Sequence, residues 1–127
     1  MEAEDAILLY TGGTTGRSKG VRLTHKNVFS NGQQNTGPMK MQSEDVYLHV
    51  APMFHSADLL GTGYTLAGAA HAYLPSFTPA GLLQALQDYR VTSAMMPPTM
   101  IILTLQEQTF PNYDLSALDR VYYGSSP

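Results

Sequence analysis

The chain has 127 residues, 43% hydrophobic and 13% charged, enough to bury one packed core and about one domain's worth of sequence. A formal net charge of -3 argues against a nucleic-acid partner, and the absence of cysteine excludes disulfides, thiolate catalysis and cysteine-based zinc sites. No apolar run approaches the roughly 20 residues of a membrane span. The first residues, Met1-Glu2-Ala3-Glu4-Asp5, are acidic where a signal peptide is basic, so a cytoplasmic location is the expectation.

In chain order, Ile7-Leu8-Leu9-Tyr10 and Val21-Arg22-Leu23 read as two strands of a hairpin. Residues 10–21, which span their connection, hold four glycines, three threonines and Lys19. Glycine lets consecutive N–H groups converge on phosphate oxygens, threonine adds hydroxyl donors, and lysine adds a mobile charge. The spacing is not that of a Walker A loop: Ser18 precedes Lys19, Gly20 follows it, and a strand pattern comes next. Arg17, Lys19, Arg22 and Lys26 concentrate positive charge there in a mildly acidic chain, which suits a polyphosphate. The alternative is a flexible, solvated surface turn.

Thr24 is placed to cap a helix through His25, Val28 and Phe29 that dissolves near Asn35-Thr36-Gly37-Pro38. Residues 45–50 read as a strand that delivers Pro52 to His55 at its C-terminal end, and residues 56–68 as one buried helix. His71-Ala72-Tyr73-Leu74 is the next strand. Pro79 suits the first turn of a helix through Leu82, Leu83, Leu86 and Tyr89. A strand over 92–96, a helix over 99–108 and a strand over 120–123 complete the pattern. Strands alternating with amphipathic helices predict an α/β fold, a layered and mostly parallel sheet with flanking helices. Ligands of such sheets bind at the carboxyl ends of strands, where His55, Pro97-Pro98 and Gly124-Ser125 all fall. His25, His49 and His71 show no spacing that suggests a metal or a triad.

Residues 10–21 resemble the Y-T-S-G-T-T-G-x-P-K-G-V motif of the adenylate-forming superfamily, which includes acyl-CoA synthetases, luciferases and nonribosomal peptide adenylation domains. Pro52-Met53-Phe54-His55-Ser56-Ala57 resembles its P-x-F-H-x-x segment, and Tyr123-Gly124-Ser125-Ser126-Pro127 its adenine-contacting G-G-A-P segment. The chain is identified as most similar to part of the large N-terminal domain of an acyl-CoA synthetase. The expected division is a phosphate loop at 10–21 and the remainder of an α/β subdomain at 22–127.

The resemblance implies that ATP and a carboxylic acid form an acyl-adenylate and pyrophosphate, and that CoA then displaces AMP. It assigns nucleotide binding to Thr11, Gly12, Gly13, Thr14, Thr15, Gly16, Lys19, Gly124, Ser125, Ser126 and Pro127. It assigns acid binding to His55, Pro98 and Met100, with Met95 and Met96 as further tunnel fillers. Gly12 stands where serine is usual and Ser18 where proline is usual, which removes one hydroxyl donor and loosens the turn. The family's Y-G-x-T-E segment, which supports magnesium, its ribose-binding aspartate and its small-domain lysine find no counterpart, so no catalytic residue or metal ligand is assigned. The chain alone is not expected to form adenylates, and self-association through exposed sheet edges is expected. A non-catalytic nucleotide-binding module, an interaction domain, a peptide adenylation domain and a luciferase-like oxidase are the alternatives.

Overall fold

The alternation read from the sequence resolves into two separate sheets. The structure is a computed structural model that describes residues 3–12 and 16–124. β1 (Asp5–Tyr10) and β2 (Gly20–Thr24) form an antiparallel hairpin in which Leu9 faces Val21 and Tyr10 faces Gly20. β3 (Val46–His49), β4 (Ala70–Tyr73), β5 (Ser93–Met96) and β6 (Arg120–Tyr123) form a parallel sheet in the order β4-β3-β5-β6.

Helix boundaries follow local chemistry. α1 (His25–Thr36) begins at a reciprocal cap, in which Thr24 Oγ1 accepts the Asn27 N–H at 3.2 Å and Asn27 Oδ1 accepts the Thr24 N–H at 3.0 Å. α2 (Gly61–Ala67) stops at Gly68, whose φ of +79° is a glycine conformation. α3 (Pro79–Asp88) has Thr78 Oγ1 accepting the Gly81 N–H, with proline in the first turn, and α4 (Pro98–Leu105) also opens on proline.

The sheet is covered on both faces, as a parallel sheet requires. Leu48, Ala94 and Met96 pack with Leu82, Ala85 and Leu86 of α3, while Tyr47, on the opposite face, packs with Tyr64 of α2 and Met41. Tyr47 and Tyr64 stack at 4.6 Å between ring centroids, and burial pushes both phenols above their ordinary range.

The chain steps from β3 through α2 to β4, then crosses back through α3 to β5 on the other side of β3. Winding thus reverses between β3 and β5, which leaves a crevice outside their C-terminal ends. The N-terminal ends are tied instead. Asp45, just before β3, accepts from the Gln42 N–H at 2.9 Å, the Thr92 hydroxyl at 2.9 Å and the Arg120 guanidinium. Arg120 also donates to the carbonyls of Met39 at 2.8 Å and Lys40 at 2.7 Å. Burial disfavours the Asp45 charge, yet the Gln42, Arg120 and Thr92 bonds hold its carboxyl below the usual carboxylate range.

Two expectations need correction. Residues 56–68 are not one buried helix: a 3₁₀ turn, Ser56–Leu60, precedes α2, and only Gly61, Gly63 and Tyr64 are fully buried. α4 ends at Leu105 rather than near 108, because the Glu107 N–H bonds to the Thr104 carbonyl, three residues back, and tightens the chain out of the α-helical path. No helix among the described residues is long and apolar enough to cross a membrane.

Candidate functional site

The glycine-threonine loop is closed at its neck by two opposed hydrogen bonds. The Thr11 N–H donates to the Lys19 carbonyl at 3.0 Å, and the Lys19 N–H donates to Thr11 Oγ1 at 3.1 Å. Because the Thr11 oxygen accepts, its hydroxyl hydrogen stays available to an anion. A Cβ built on Gly12 meets nothing within 4 Å, so the backbone there is open to approach. Gly16 has φ +148°, outside the range favoured by other residues. Thr11, Gly12, Gly16 and Lys19 are all exposed. Of the four clustered cations, Arg22 is engaged by Asp5, with its Nε 2.7 Å from Oδ2. Gly13, Thr14, Thr15, Ser125, Ser126 and Pro127 lie outside the described residues. Gly124 follows directly on the C-terminal end of β6.

His55 lies past the C-terminal end of β3 and caps the 3₁₀ turn. Its Nδ1 accepts the Ala57 N–H at 3.1 Å and its carbonyl accepts the Asp58 N–H at 3.0 Å. That bond fixes the tautomer, since an accepting Nδ1 leaves the hydrogen of neutral imidazole on Nε2. The turn forms one wall of a mostly apolar cavity of about 520 Å³, with Ser56, Ala57, Leu59 and Leu60 facing Asn31 and Asn35 of α1 and Met95 and Tyr122 of the sheet. Met100 borders a second cavity of about 450 Å³, with Pro52, Phe54 and Phe77, and Met96 is buried in the core. Met95 therefore stands apart from Met96 and Met100, because successive residues of β5 face opposite sides of the sheet and Met100 packs against the core that holds Met96. Pro98 opens α4 at the C-terminal end of β5.

The sequence reading missed a cluster. The spacing of His49 and His71 suggests neither a metal nor a triad, but His49 Nδ1 lies 2.6 Å from Asp58 Oδ1 and His49 Nε2 lies 2.7 Å from His71 Nδ1. His71 Nε2 in turn lies 3.1 Å from Thr65 Oγ1. Burial, and then the neighbouring His49, hold the His71 imidazole below its ordinary range, against the pull of Asp58. These residues line a cavity that also receives Ile7 of β1, so the hairpin bearing the loop sits beside the end of β3.

Comparison with known proteins agrees with this arrangement. The family model described as AMP-binding enzyme matches residues 1–127. 4-Coumarate–CoA ligase 3 of Arabidopsis thaliana is 35% identical over 128 residues, covering 96% of this chain and 23% of that protein. Luciferin 4-monooxygenase of Photuris pensylvanica is 35% identical over 126 residues, covering 96% of this chain and 23% of that protein. The crystal structure of ATP-bound MatB from Rhodopseudomonas palustris superposes with a TM-score of 0.85 at 31% identity, over 100% of this chain and 25% of that one. The chain thus spans about a quarter of the length of these relatives. From the loop hairpin through the parallel sheet, it belongs to the AMP-binding enzyme family.

Proposed function

We propose that this chain supplies the phosphate loop and part of the acid pocket for ATP-dependent activation of a fatty or aromatic carboxylic acid, with CoA as the final acceptor. The observation that carries the reading is the apolar cavity between the His55 turn and β6, whose end leads into the segment similar to the adenine-contacting motif. In the overall chemistry a carboxylate oxygen attacks the α-phosphorus of ATP and pyrophosphate leaves. The CoA thiol then attacks the acyl carbon and AMP leaves.

The donor set fits a triphosphate. The Thr11 hydroxyl, the open backbone at Gly12, the exposed Lys19 ammonium and, by resemblance, Thr14 and Thr15 would surround the β- and γ-phosphates. Each charge-assisted bond contributes roughly 1.5–3 kcal/mol. Residues 11–19 contain no carboxylate, so no magnesium ligand is assigned to the loop. His55 Nε2–H is the donor we assign to the acid's carboxylate, held in that tautomer by its cap on Ala57. The apolar wall of Leu59, Leu60 and Met95 would take the acid's tail. The CoA acceptor is supported by the CoA ligases among the relatives.

Titration of the isotope-labelled chain with Mg-ATP tests this reading by NMR. Saturable shifts at the amides of Thr11 to Gly20 and Gly124 to Ser126, with a midpoint raised about tenfold or more in Lys19→Ala, are the expected result. Shifts with an unchanged midpoint in Lys19→Ala, or none in a longer chain that continues past residue 127, would overturn it.

A further inference from the structure

Four polar side chains form one continuous line beneath the His55 turn. Asp58 of the turn, His49 at the end of β3, His71 of β4 and Thr65 of α2 are joined at 2.6, 2.7 and 3.1 Å. A carboxylate only accepts, so His49 Nδ1 carries a hydrogen. In neutral His49 the Nε2 then accepts from His71 Nδ1–H, and His71 Nε2 accepts from the Thr65 hydroxyl. Thr65 Oγ1 also lies 3.2 Å from the Gly61 carbonyl. A proton taken from solvent by His71 Nε2 makes that nitrogen a donor. The Thr65 oxygen then accepts from it and turns its own hydrogen to Gly61, so the line keeps every link in both states.

We propose that Asp58, His49, His71 and Thr65 form a strut that stores one proton and positions the turn carrying His55. The strut acts through the hydrogen bonds of the turn, because the Asp58 N–H donates to the His55 carbonyl and His55 caps the same turn. It is a firm anchor: the His49 and Asp58 side chains are only 7% and 10% exposed. Tyr73 stacks on His49 at 4.7 Å, which fixes the ring plane. The ionisable groups facing His71 among the described residues are His49 and Tyr47 from β3 and Asp58 from the turn, with Tyr73 on its own strand stacked over His49. Asp58 supplies the counter-charge for the stored proton. His49 and His71 are thus positioning residues, and their bearing on the acid rests on the proposed reading of the turn as a pocket wall; the strut itself does not.

NMR of the full chain tests the strut without any ligand. The expected results are a scalar coupling across the His49 Nε2 and His71 Nδ1 hydrogen bond, and a Gly61 carbonyl shift that titrates with the His71 midpoint. The Gly61 titration should vanish in Thr65→Val and in His71→Asn. His71→Asn keeps a donor at the Nδ1 position and should leave the amides of Asp58 to Leu60 in place. His71→Ala should raise their local opening about tenfold or more, the effect of losing one such bond. Should His71→Ala unfold the chain, Thr65→Val and the wild-type Gly61 titration still decide the matter. A Gly61 carbonyl that ignores His71, or turn amides unmoved in His71→Ala, would overturn the proposal. Added butyrate and laurate separate the two readings: a strut confirmed with neither acid shifting Leu59 or Leu60 overturns the pocket assignment alone.

Discussion

A Cβ on Gly61 would stand 2.7 Å from Cε1 of His49, closer than side chains pack, so the first residue of α2 is glycine because the imidazole occupies that space. Gly61→Ala should destabilise the chain by about 1–3 kcal/mol through overpacking. Much of that loss should disappear when His49→Ala is added, a coupling that a double-mutant cycle in urea would measure.

Arg120 joins the start of β6 to Asp45 and to the carbonyls of Met39 and Lys40. Arg120→Ala leaves a buried carboxylate without its cation and should cost roughly 3 kcal/mol in chemical denaturation. Because Asp45 titrates below its unfolded value, its contribution is present above about pH 4 and fades as pH falls further. The acid limb of the stability profile should therefore flatten in Arg120→Ala.

His71 gives a second, higher pH window. Its folded imidazole titrates below the unfolded value of about 6.5, so the folded state binds fewer protons. Stability should be complete above about pH 6.5 and decline as pH falls from there toward the folded midpoint. Urea midpoints measured across that range should decline less steeply in His71→Asn than in the wild type.

Gly12 has open space around its missing side chain, so Gly12→Ser restores a hydroxyl without a clash. One added neutral hydrogen bond should tighten Mg-ATP binding by roughly 2–10-fold. Lys19→Ala should weaken it by about 10–100-fold, since a charged donor is lost. Isothermal titration reads both, and a Gly12→Ser chain that binds no better than wild type would argue that the loop does not hold phosphate.

Adjacent methionines of β5 should behave differently. Met96 is buried among the α3 leucines, and Met96→Ala should cost about 2–5 kcal/mol in thermal or urea unfolding. Met95 lines the cavity beside the His55 turn, so Met95→Ala should cost less and should instead change which acids shift the resonances of Leu60.

Much of this fold is legible in the sequence because its signals are local. Thr24 caps α1, the glycine loop ends both hairpin strands, and β6 falls at the residues its pattern marks. The break between the 3₁₀ turn and α2 is less legible, since the apolar run 56–68 carries no proline and its first turn is tightened by the His55 cap. The line through His49, Asp58 and His71 depends on distant pairing. It exists because β3 and β4 run parallel with Tyr47 opposite His71 and His49 opposite Tyr73, which brings both histidines to one face. Two histidines at alternate-strand positions either side of a short helical crossover are the signal that could have revealed it.

The tie through Asp45, Thr92 and Arg120 gathers at the N-terminal ends of three strands, while the His55 turn, Pro98 and Gly124 hang from the opposite ends. On the proposed reading of the His55 turn, mechanical integrity and ligand choice would therefore sit at opposite poles of the sheet. If that reading holds, a lineage that carries this fold could exchange residues at one pole, trying new ligands, while the fastening at the other stays untouched.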